Sequence, residues 1–499
     1  MSLEKKIFLS FAILIVFIYG QSLFGTFVFD DRGILEHAEL FSSLDRIFQV
    51  ASYPYWTVDA GLYRPTTLVS YLFNSVLLGS GAFGFHLINL VLYFGICSLI
   101  YLLIKKLFQD EKLALFTALI YLVLPIHTEV VANISGRSEL LALFFSLLVL
   151  AEFVREKPNF WRTGLWMLLA IGAKETAIAT VPLVLIILFI QRRREWHGFA
   201  GMGVGILLYF VLRLIVLGPE HFLGVETSLI ENPLLFATFP ERVATALQIL
   251  SMYISKTFWP VNLCSDYSYN QIPVSGNFLR IGVLLGLFSL LGAVSTFFLF
   301  LKKRPVISLA SAIFLLSFFP VSNLLFPIGT IAGERLFFFP SLGFALLVAY
   351  FLSLASRRNV LIVTIIALVA VYGFLSFRRQ AVWMSEEKLF LDAAQCAPSS
   401  VLSLSNLGTV YYFRSEYGKA REALEASRAI APIYSKGLNN LGLVYWKEGK
   451  IEEAKDLYYE ALSQRYPYPG VAENLFLLYM SVGDQKSAER WLRVTYPLP

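Results

Sequence analysis

Charge is scarce in this sequence of 499 residues. Asp, Glu, Lys and Arg make up 15% of the chain and hydrophobic residues 57%, whereas about a quarter of the residues in a soluble domain are charged. The mean hydropathy is +0.66. This composition argues against an ordinary soluble protein and predicts an integral membrane protein.

Cysteine is also scarce. Of the three cysteines, Cys97 lies inside an apolar run, and Cys264 and Cys396 lie far apart in the sequence. The sequence therefore predicts neither a disulfide framework nor a zinc site.

The net charge of +6 does not indicate nucleic-acid binding. The basic residues form short clusters between apolar segments, and no basic face is interleaved with aromatic side chains in the way that single-strand binding requires. We interpret the clusters as topology determinants that contact membrane lipid.

The first apolar run, from Ile7 to Val28, follows Lys5 and Lys6. It is longer than the core of a signal peptide and lacks a small-residue cleavage site. We predict an uncleaved first span with the N-terminus in the cytoplasm.

Segments long enough to cross a bilayer recur to about residue 376. When the basic clusters are placed in the cytoplasm, the predicted spans number eleven, with Arg378 and Arg379 as one exception to the rule. These spans are 7–27, 84–104, 113–130, 138–154, 160–173, 176–190, 198–217, 279–301, 306–323, 336–355 and 360–377. Two long outer loops, 29–82 and 218–277, each contain a semi-apolar stretch that we expect to lie in the interface.

A repeat of 34 residues follows the last span. Asn406-Leu407-Gly408 recurs as Asn440-Leu441-Gly442, and Asn474-Leu475 follows 34 residues later. This pattern resembles the tetratricopeptide repeat, in which pairs of helices stack side by side. We predict an all-α protein with a membrane domain over residues 1–380 and a repeat domain over 381–499, of about three repeats and a leading helix.

Two adjacent aspartates, Asp30 and Asp31, stand just after the first span. Ionisable groups close to hydrocarbon usually mark a functional cavity. One carboxylate of such a pair can bind a divalent metal while the other acts as a general base. The alternative interpretation is a solvated pair or a helix N-cap.

Further ionisable residues are predicted to gather at the same outer level. They are Arg64, His127, Glu129, Arg137, Glu139, Lys174, Glu175, Asp266, Glu334 and Arg335. Arg and Lys at this level can hold a phosphate. For His127 a structural hydrogen-bonding role is the alternative, and for Glu334-Arg335 an internal ion pair.

The order of motifs along the chain resembles the family of transmembrane and tetratricopeptide-repeat O-mannosyltransferases, which is similar to the protein O-mannosyltransferases of the C-type (GT-C) glycosyltransferase fold. The motifs are FVFDD, YRPTT, GFHLINLVLY, PIHTEVVANISGRSELLA, AKETAI, LCSDYS and GERLFFFPSLGF. Because the repeat array is short, the resemblance implies a prokaryotic member, with its site facing the periplasm from the bacterial inner membrane.

The resemblance implies that a sugar, mannose, moves by inverting displacement from a polyprenyl-phosphate donor to Ser or Thr hydroxyls of an extracytoplasmic polypeptide, which the repeats position. It implies Asp30 or Asp31 as the base, and Arg335, then Arg137, Lys174 and Arg64, as donor-phosphate ligands. The substrate-orienting candidates are His127, Glu129, Glu139, Glu175, Glu334 and Asp266. A divalent metal, Mg or Mn, is an optional cofactor, with Asp30 and Asp31 as its ligands.

Two alternatives keep the same fold class. The acceptor of the sugar is a glycan or a lipid in one, and the protein is a non-catalytic membrane scaffold or a transporter in the other. Transporters usually show related halves and charges near the bilayer midplane. Because the ionisable residues of this chain cluster at one predicted face, the sequence favours an enzyme.

Overall fold

The structure is a computed structural model that describes residues 2–55, 61–222, 227–355 and 357–495, without the side chains of Arg358 and Thr495. Within these ranges the regular structure is entirely helical. The predicted outer loops include residues 56–60 and 223–226, which lie outside the described residues.

The predicted membrane domain consists of helices of very different length. The α-helices described there are α1 (Leu3–Tyr19), α2 (Arg32–Glu36), α3 (Ile47–Ala51), α4 (Pro65–Leu78), α5 (Ala82–Phe108), α6 (Glu111–Val123), α7 (Thr128–Ala132), α8 (Arg137–Val154), α9 (Phe160–Ala173), α10 (Thr180–Ile190), α11 (Trp196–His221), α12 (Phe239–Phe258), α13 (Ile281–Phe300), α14 (Pro305–Phe318), α15 (Ser341–Ser353) and α16 (Arg358–Gln380). Short 3-10 turns join several of them, among them Phe29–Asp31, Pro125–His127 and Glu334–Phe337.

Each of the eleven predicted spans contains most of one of these helices, and the prediction of an all-helical protein with several apolar helices is confirmed. By length and composition, the segments Leu3–Phe24, Ala82–Phe108, Trp196–His221, Ile281–Phe300 and Asn359–Met384 can each cross a membrane. A sixth candidate is α6 with the segment Pro125–Ala132, which is bent by 57° against it. The number of eleven spans stays a prediction.

The bend after α6 has a local cause. Pro125 lacks a backbone N–H and disfavours helical geometry at the residue before it, and Leu124 accordingly adopts an extended conformation. The predicted span 113–130 is therefore one helix followed by a re-oriented turn. This turn carries His127 and Glu129.

Small residues bring α9 and α11 into close contact. A Cβ atom at Gly201 would lie 2.2 Å from the carbonyl oxygen of Phe160, and one at Gly205 would lie 2.3 Å from that of Gly164. Such contacts between backbones are typical of helix pairs in membranes. The close approach holds the first half of α11 against α9, and Arg213 lies farther along the same helix.

Arg137, at the start of α8, ties three helices together. The side chain is fully buried. Its Nε donates to Asn89 Oδ1 at 2.9 Å, and one Nη donates to Asn74 Oδ1 at 3.0 Å and to the carbonyl oxygen of Phe85 at 2.7 Å. The rings of Phe85 and Tyr71 also lie within about 5 Å of the guanidinium carbon.

Helices beyond residue 384 form three successive pairs behind a leading helix. They are α17 (Glu386–Cys396), α18 (Val401–Phe413), α19 (Tyr417–Ile430), α20 (Ser435–Lys447), α21 (Ile451–Leu462), α22 (Gly470–Ser481) and α23 (Gln485–Thr495). The turns inside the pairs contain Ser415, Gly449 and Gly483, each with φ between 60° and 80°. Glycine favours this left-handed conformation, which explains why it recurs with the period of 34.

The second loop is cross-linked to the leading helix of the repeats. Cys264 and Cys396 form a disulfide bond with their Cα atoms 5.7 Å apart. The expectation that the cysteines form no disulfide is therefore wrong, because helices α13 to α16 return the chain to the same place. Nearby, Asp266 accepts hydrogen bonds from the hydroxyls of Ser400 and Ser403.

We expect the cysteines to differ in their reactivity. Denatured, unreduced protein should take up one iodoacetamide, at Cys97, because Cys97 is the free cysteine and the other two are paired. Reduced protein should take up three, and intact mass spectrometry measures both values. In the control, unreduced Cys264→Ser should take up two. Uptake of three without reduction would contradict the pairing.

Arg137→Met should lower the free energy of unfolding on the order of 3 kcal/mol, because it leaves buried oxygens of Asn74, Asn89 and Phe85 without a donor. Denaturant unfolding in detergent measures the change. The control is Arg194→Gln at an exposed position, with an expected change within about 0.5 kcal/mol. Equal effects of the two substitutions would rule out a structural role for Arg137.

Candidate functional site

One large cavity lies between the predicted membrane domain and the repeats. Its volume is about 1440 Å³. The residues that line it come from both predicted outer loops, from the ends of α9 and α11, from the segment 320–336 and from the first repeats. Its ionisable lining residues are Asp30, Arg32, Glu36, Arg64, Lys174, Glu175, Arg213, Glu231, Arg335, Glu386 and Lys436.

The two adjacent aspartates occupy different environments. Asp31 is fully buried, and its carboxylate accepts hydrogen bonds from the backbone N–H groups of Val28 at 3.2 Å, Ile134 at 3.3 Å and Ser135 at 2.7 Å. Burial raises the pKa of Asp31 to about 7, although these hydrogen bonds oppose the rise. Asp31 thus joins the first loop to the turn before α8.

Asp30, in contrast, points into the cavity. Its side chain is 42% exposed, and one of its oxygens lies 3.9 Å from an Nη of Arg335. A carboxylate in this position can accept a proton from a molecule bound in the cavity, whereas both oxygens of Asp31 are already occupied by the protein.

Arg335 is held in place by a buried carboxylate. Glu129 accepts one bond from an Nη of Arg335 at 2.8 Å and another from its backbone N–H at 2.9 Å, and its side chain is only 2% exposed. Arg335 is 30% exposed at the cavity wall. Since the other guanidinium N–H groups have no acceptor among the described residues, they can bind an anion there.

A second charged cluster lines the cavity near α11. Glu175 accepts hydrogen bonds from Arg64 at 3.4 Å and from Arg213 at 3.1 Å, and Arg64 lies over the ring of Tyr55. Arg213 also donates to the hydroxyl of Tyr209 and to the carbonyl oxygens of Gly61 and Phe222. The two Nη groups of Arg64 have no acceptor within the described part of the chain.

Lys174 lies between the two clusters and forms an ion pair with Glu139. Both side chains are less than 10% exposed. Burial lowers the pKa of Lys174, and the adjacent Glu139 opposes that change. The ammonium group borders the cavity, but its charge is largely balanced by its partner.

Seven predicted site residues lie outside the cavity lining: Asp31, His127, Glu129, Arg137, Glu139, Asp266 and Glu334. Arg137 is enclosed by its helices, and His127 bonds to the hydroxyls of Tyr93 and Ser341 at 2.9 and 2.7 Å, which supports the structural alternative for it. Asp266 binds serines of the repeat domain, and Glu334 accepts from the N–H of Cys264 and the hydroxyl of Tyr267. Protein groups use the side chains of Arg137, His127, Asp266 and Glu334, and the structure does not bring these side chains to the cavity, so their predicted contacts with phosphate or substrate stay predictions.

The alternative interpretation of Glu334 and Arg335, an ion pair between the two, is not what the structure shows. The two side chains point in different directions: Arg335 pairs with Glu129, and Glu334 lies against the disulfide-linked loop. Burial raises the pKa of Glu334 to about 7, partly opposed by Arg379 and Lys256.

The aspartates do not form a pair of metal ligands. Asp31 uses both oxygens for backbone N–H groups, so Asp30 alone is available at this position. Among the described residues, no group of three or more His, Cys, Asp or Glu side chains is arranged to hold a metal ion. The predicted divalent metal does not fit this donor set, and we assign no step to it.

Two features of the site are not among the predictions from the sequence. Arg213 is an ionisable residue within an apolar helix, a signal that usually marks function, but it lies inside the predicted span 198–217. The contacts of the first loop with the repeat domain were also missed. Arg32 forms an ion pair with Glu386, which also accepts a bond from the N–H of Phe29 at 3.2 Å.

Comparison with known proteins gives a consistent result. A family model described as tetratricopeptide repeat matches residues 437–463, which confirms the predicted repeat. The chain is 28% identical over 410 residues to the protein O-mannosyl-transferase F38B6.6 of Caenorhabditis elegans, an alignment that covers 79% of this chain and 58% of the relative.

Two vertebrate relatives match similarly. The identity to protein O-mannosyl-transferase TMTC3 of Mus musculus is 26%, over 81% of this chain and 48% of the relative. The identity to TMTC1 of Homo sapiens is 25%, over 84% and 54%. The chain thus spans about half the length of these curated relatives.

Glu334→Gln should change how stability depends on pH. The folded-state pKa of Glu334, about 7, lies above its unfolded value, so the wild type is most stable relative to the variant below about pH 4.5. Between about pH 4.5 and 7 the free energy of unfolding of the wild type should fall by up to about 1.4 kcal/mol per pH unit. The uncharged amide of the variant still offers an oxygen to the N–H of Cys264 and the hydroxyl of Tyr267. Denaturant unfolding of both proteins from pH 4 to 8 measures this. A difference that does not vary with pH would contradict the raised pKa.

Proposed function

Because this chain belongs to the family of transmembrane and tetratricopeptide-repeat O-mannosyltransferases, we propose that it is an integral-membrane glycosyltransferase. It moves mannose from a polyprenyl phosphate to Ser or Thr hydroxyls of a polypeptide. The observation that carries the proposal is the composition of the cavity. A partly exposed carboxylate, fixed guanidinium groups and a wall of repeats surround one space of about 1440 Å³.

The donor phosphate binds at Arg335 and Arg64. Both line the cavity and retain N–H groups without a partner among the described residues, and a phosphate can take two such bonds from one guanidinium. Phe210, Leu235 and Phe326 also line the cavity and are 39 to 52% exposed. They provide an apolar margin along which an isoprenoid chain can remain in lipid.

The transfer is a single displacement. The acceptor hydroxyl attacks the anomeric carbon and forms the new C–O bond, while the bond from that carbon to the phosphate oxygen breaks with inversion. Asp30 takes the hydroxyl proton as bond formation advances. The leaving phosphate keeps the electron pair of the broken bond, and the guanidinium groups of Arg335 and Arg64 stabilise its negative charge.

The site and the repeats face the same extracytoplasmic compartment. The disulfide between Cys264 and Cys396 supports this orientation, because disulfides persist in oxidising compartments and are rare in the cytosol. The N-terminus then lies in the cytoplasm. The prokaryotic origin stays a prediction.

Asp30→Asn should lower the rate of mannose transfer by about 100-fold or more, because the amide cannot accept the proton. The assay uses purified protein, labelled polyprenyl-phosphate mannose and a Ser/Thr-rich polypeptide. Asp45→Asn is the control, at an exposed acid of the same loop, and should transfer at the wild-type rate. Wild-type rates in Asp30→Asn would exclude Asp30 as the base.

Asp31→Asn should affect the stability of the folded protein. Its amide group would face the N–H donors of Val28 or Ile134, so the folded protein should lose stability in the same denaturant assay, whereas Asp30→Asn should not.

If wild-type protein transferred no sugar to polypeptide but did so to a glycan or lipid, the acceptor in this proposal would be wrong. If it transferred to none of the three, the scaffold alternative would stand.

A further inference from the structure

Polar side chains lie among apolar ones on the repeat side of the cavity, and two of them are separated by the repeat period. Asn406 of α18 and Asn440 of α20 occupy equivalent positions of successive repeats, and both line the cavity. Thr409, Tyr412 and Tyr468 line the same wall. We call these five residues the asparagine wall.

Hydrogen bonds fix the orientation of Asn440. Its amide nitrogen donates to Thr409 Oγ1 at 3.1 Å, and its oxygen accepts from Asn439 at 3.3 Å. Asn439 in turn accepts from Asn474 at 2.8 Å. Each amide has two donor hydrogens and two acceptor lone pairs, so Asn440 retains one of each for a molecule in the cavity.

The side chain of Asn406 has more hydrogen-bonding capacity left than that of Asn440. Within the described residues its amide has no hydrogen-bond partner, although the side chain is half-buried at the cavity wall. Two half-buried amides in equivalent positions thus present both a donor and an acceptor. The backbone of an extended polypeptide presents the complementary pair at every residue.

The wall is also continuous with Asp30. Glu386 begins the leading helix α17, lines the cavity, and binds both the N–H of Phe29 and the guanidinium of Arg32. These residues flank Asp30 in the sequence. The candidate base is therefore anchored to the repeat domain, and a chain lying along the wall reaches Asp30 within one cavity.

We infer that the asparagine wall binds the polypeptide acceptor as an extended segment, through its main chain. This inference rests on the proposed function and specifies its substrate class. Recognition then requires an unfolded or exposed stretch with Ser or Thr opposite Asp30, and it tolerates almost any neighbouring side chains. The rings of Tyr412 and Tyr468 contribute apolar contact without selecting a sequence.

The first test separates binding from chemistry. The double variant Asn406→Ala/Asn440→Ala should raise KM for a 20-residue Ser/Thr/Gly/Ala peptide about tenfold, as expected for the loss of two hydrogen bonds. Its kcat should stay at the wild-type value, and so should kcat/KM for N-acetyl-threonine amide, which is too short to reach the wall. Gln485→Ala is the control, at an exposed position of the repeat domain outside the cavity lining, and should leave both constants unchanged. An unchanged KM for the long peptide in the double variant would overturn the inference.

The second test needs no transfer. Fluorescence anisotropy measures binding of the labelled 20-residue peptide to the full chain in detergent, beside the same peptide N-methylated at alternate residues. We expect the wild type to bind the N-methylated peptide at least several-fold more weakly, and Asp30→Asn to bind the unmodified peptide as the wild type does. Equal binding of the two peptides, or wild-type binding by the double variant, would overturn main-chain recognition. Wall-dependent binding without any transfer would instead overturn the proposed function.

Discussion

A charge close to the hydrocarbon of a membrane must be paired or hydrogen-bonded by the protein, because water is not there to solvate it. This constraint organises the part of the molecule around the cavity and the predicted outer loops. Glu129 pairs with Arg335, Glu139 with Lys174, and Glu175 with both Arg64 and Arg213. Each pair joins segments far apart in the sequence, so satisfying the charges also sets the relative positions of the segments that surround the cavity.

The same constraint separates structural from available groups. Arg137 and Asp31 are buried and use their hydrogen-bonding capacity within the protein. Arg335 and Asp30 are partly exposed and keep capacity for a ligand. Asp31 and Asp30 are adjacent in the sequence, and Arg137 and Arg335 are predicted to lie at one level of the membrane. The members of each pair nevertheless serve different purposes, because the fold supplies hydrogen-bond partners to only one of them in full.

The helices were predictable because hydropathy and the 34-residue period are properties of local sequence. The breaks between helices are harder to predict: the predicted span 113–130 includes Pro125, although proline gives a local signal for a break. The contacts of the site depend on long-range packing. Two of the three hydrogen-bond partners of Asp31 are residues 134 and 135, and Cys264 meets Cys396 across 132 residues. Spacing in the sequence contains no information on such long-range contacts. The ionisable residues are therefore predictable from the sequence, but which of them keep free hydrogen-bonding groups is not.

The disulfide bond has a consequence for how the chain threads the membrane. Two cysteines can join only on the same side, so the segment between Cys264 and Cys396 must cross the bilayer an even number of times. Helices α13, α14, α15 and α16 lie in that segment, and four crossings satisfy the parity. Because Cys396 follows α16, the bond cannot close until the last of these helices has left the ribosome. Closure of the cavity between loop and repeats is therefore a late event of biogenesis, which follows completion of the membrane domain.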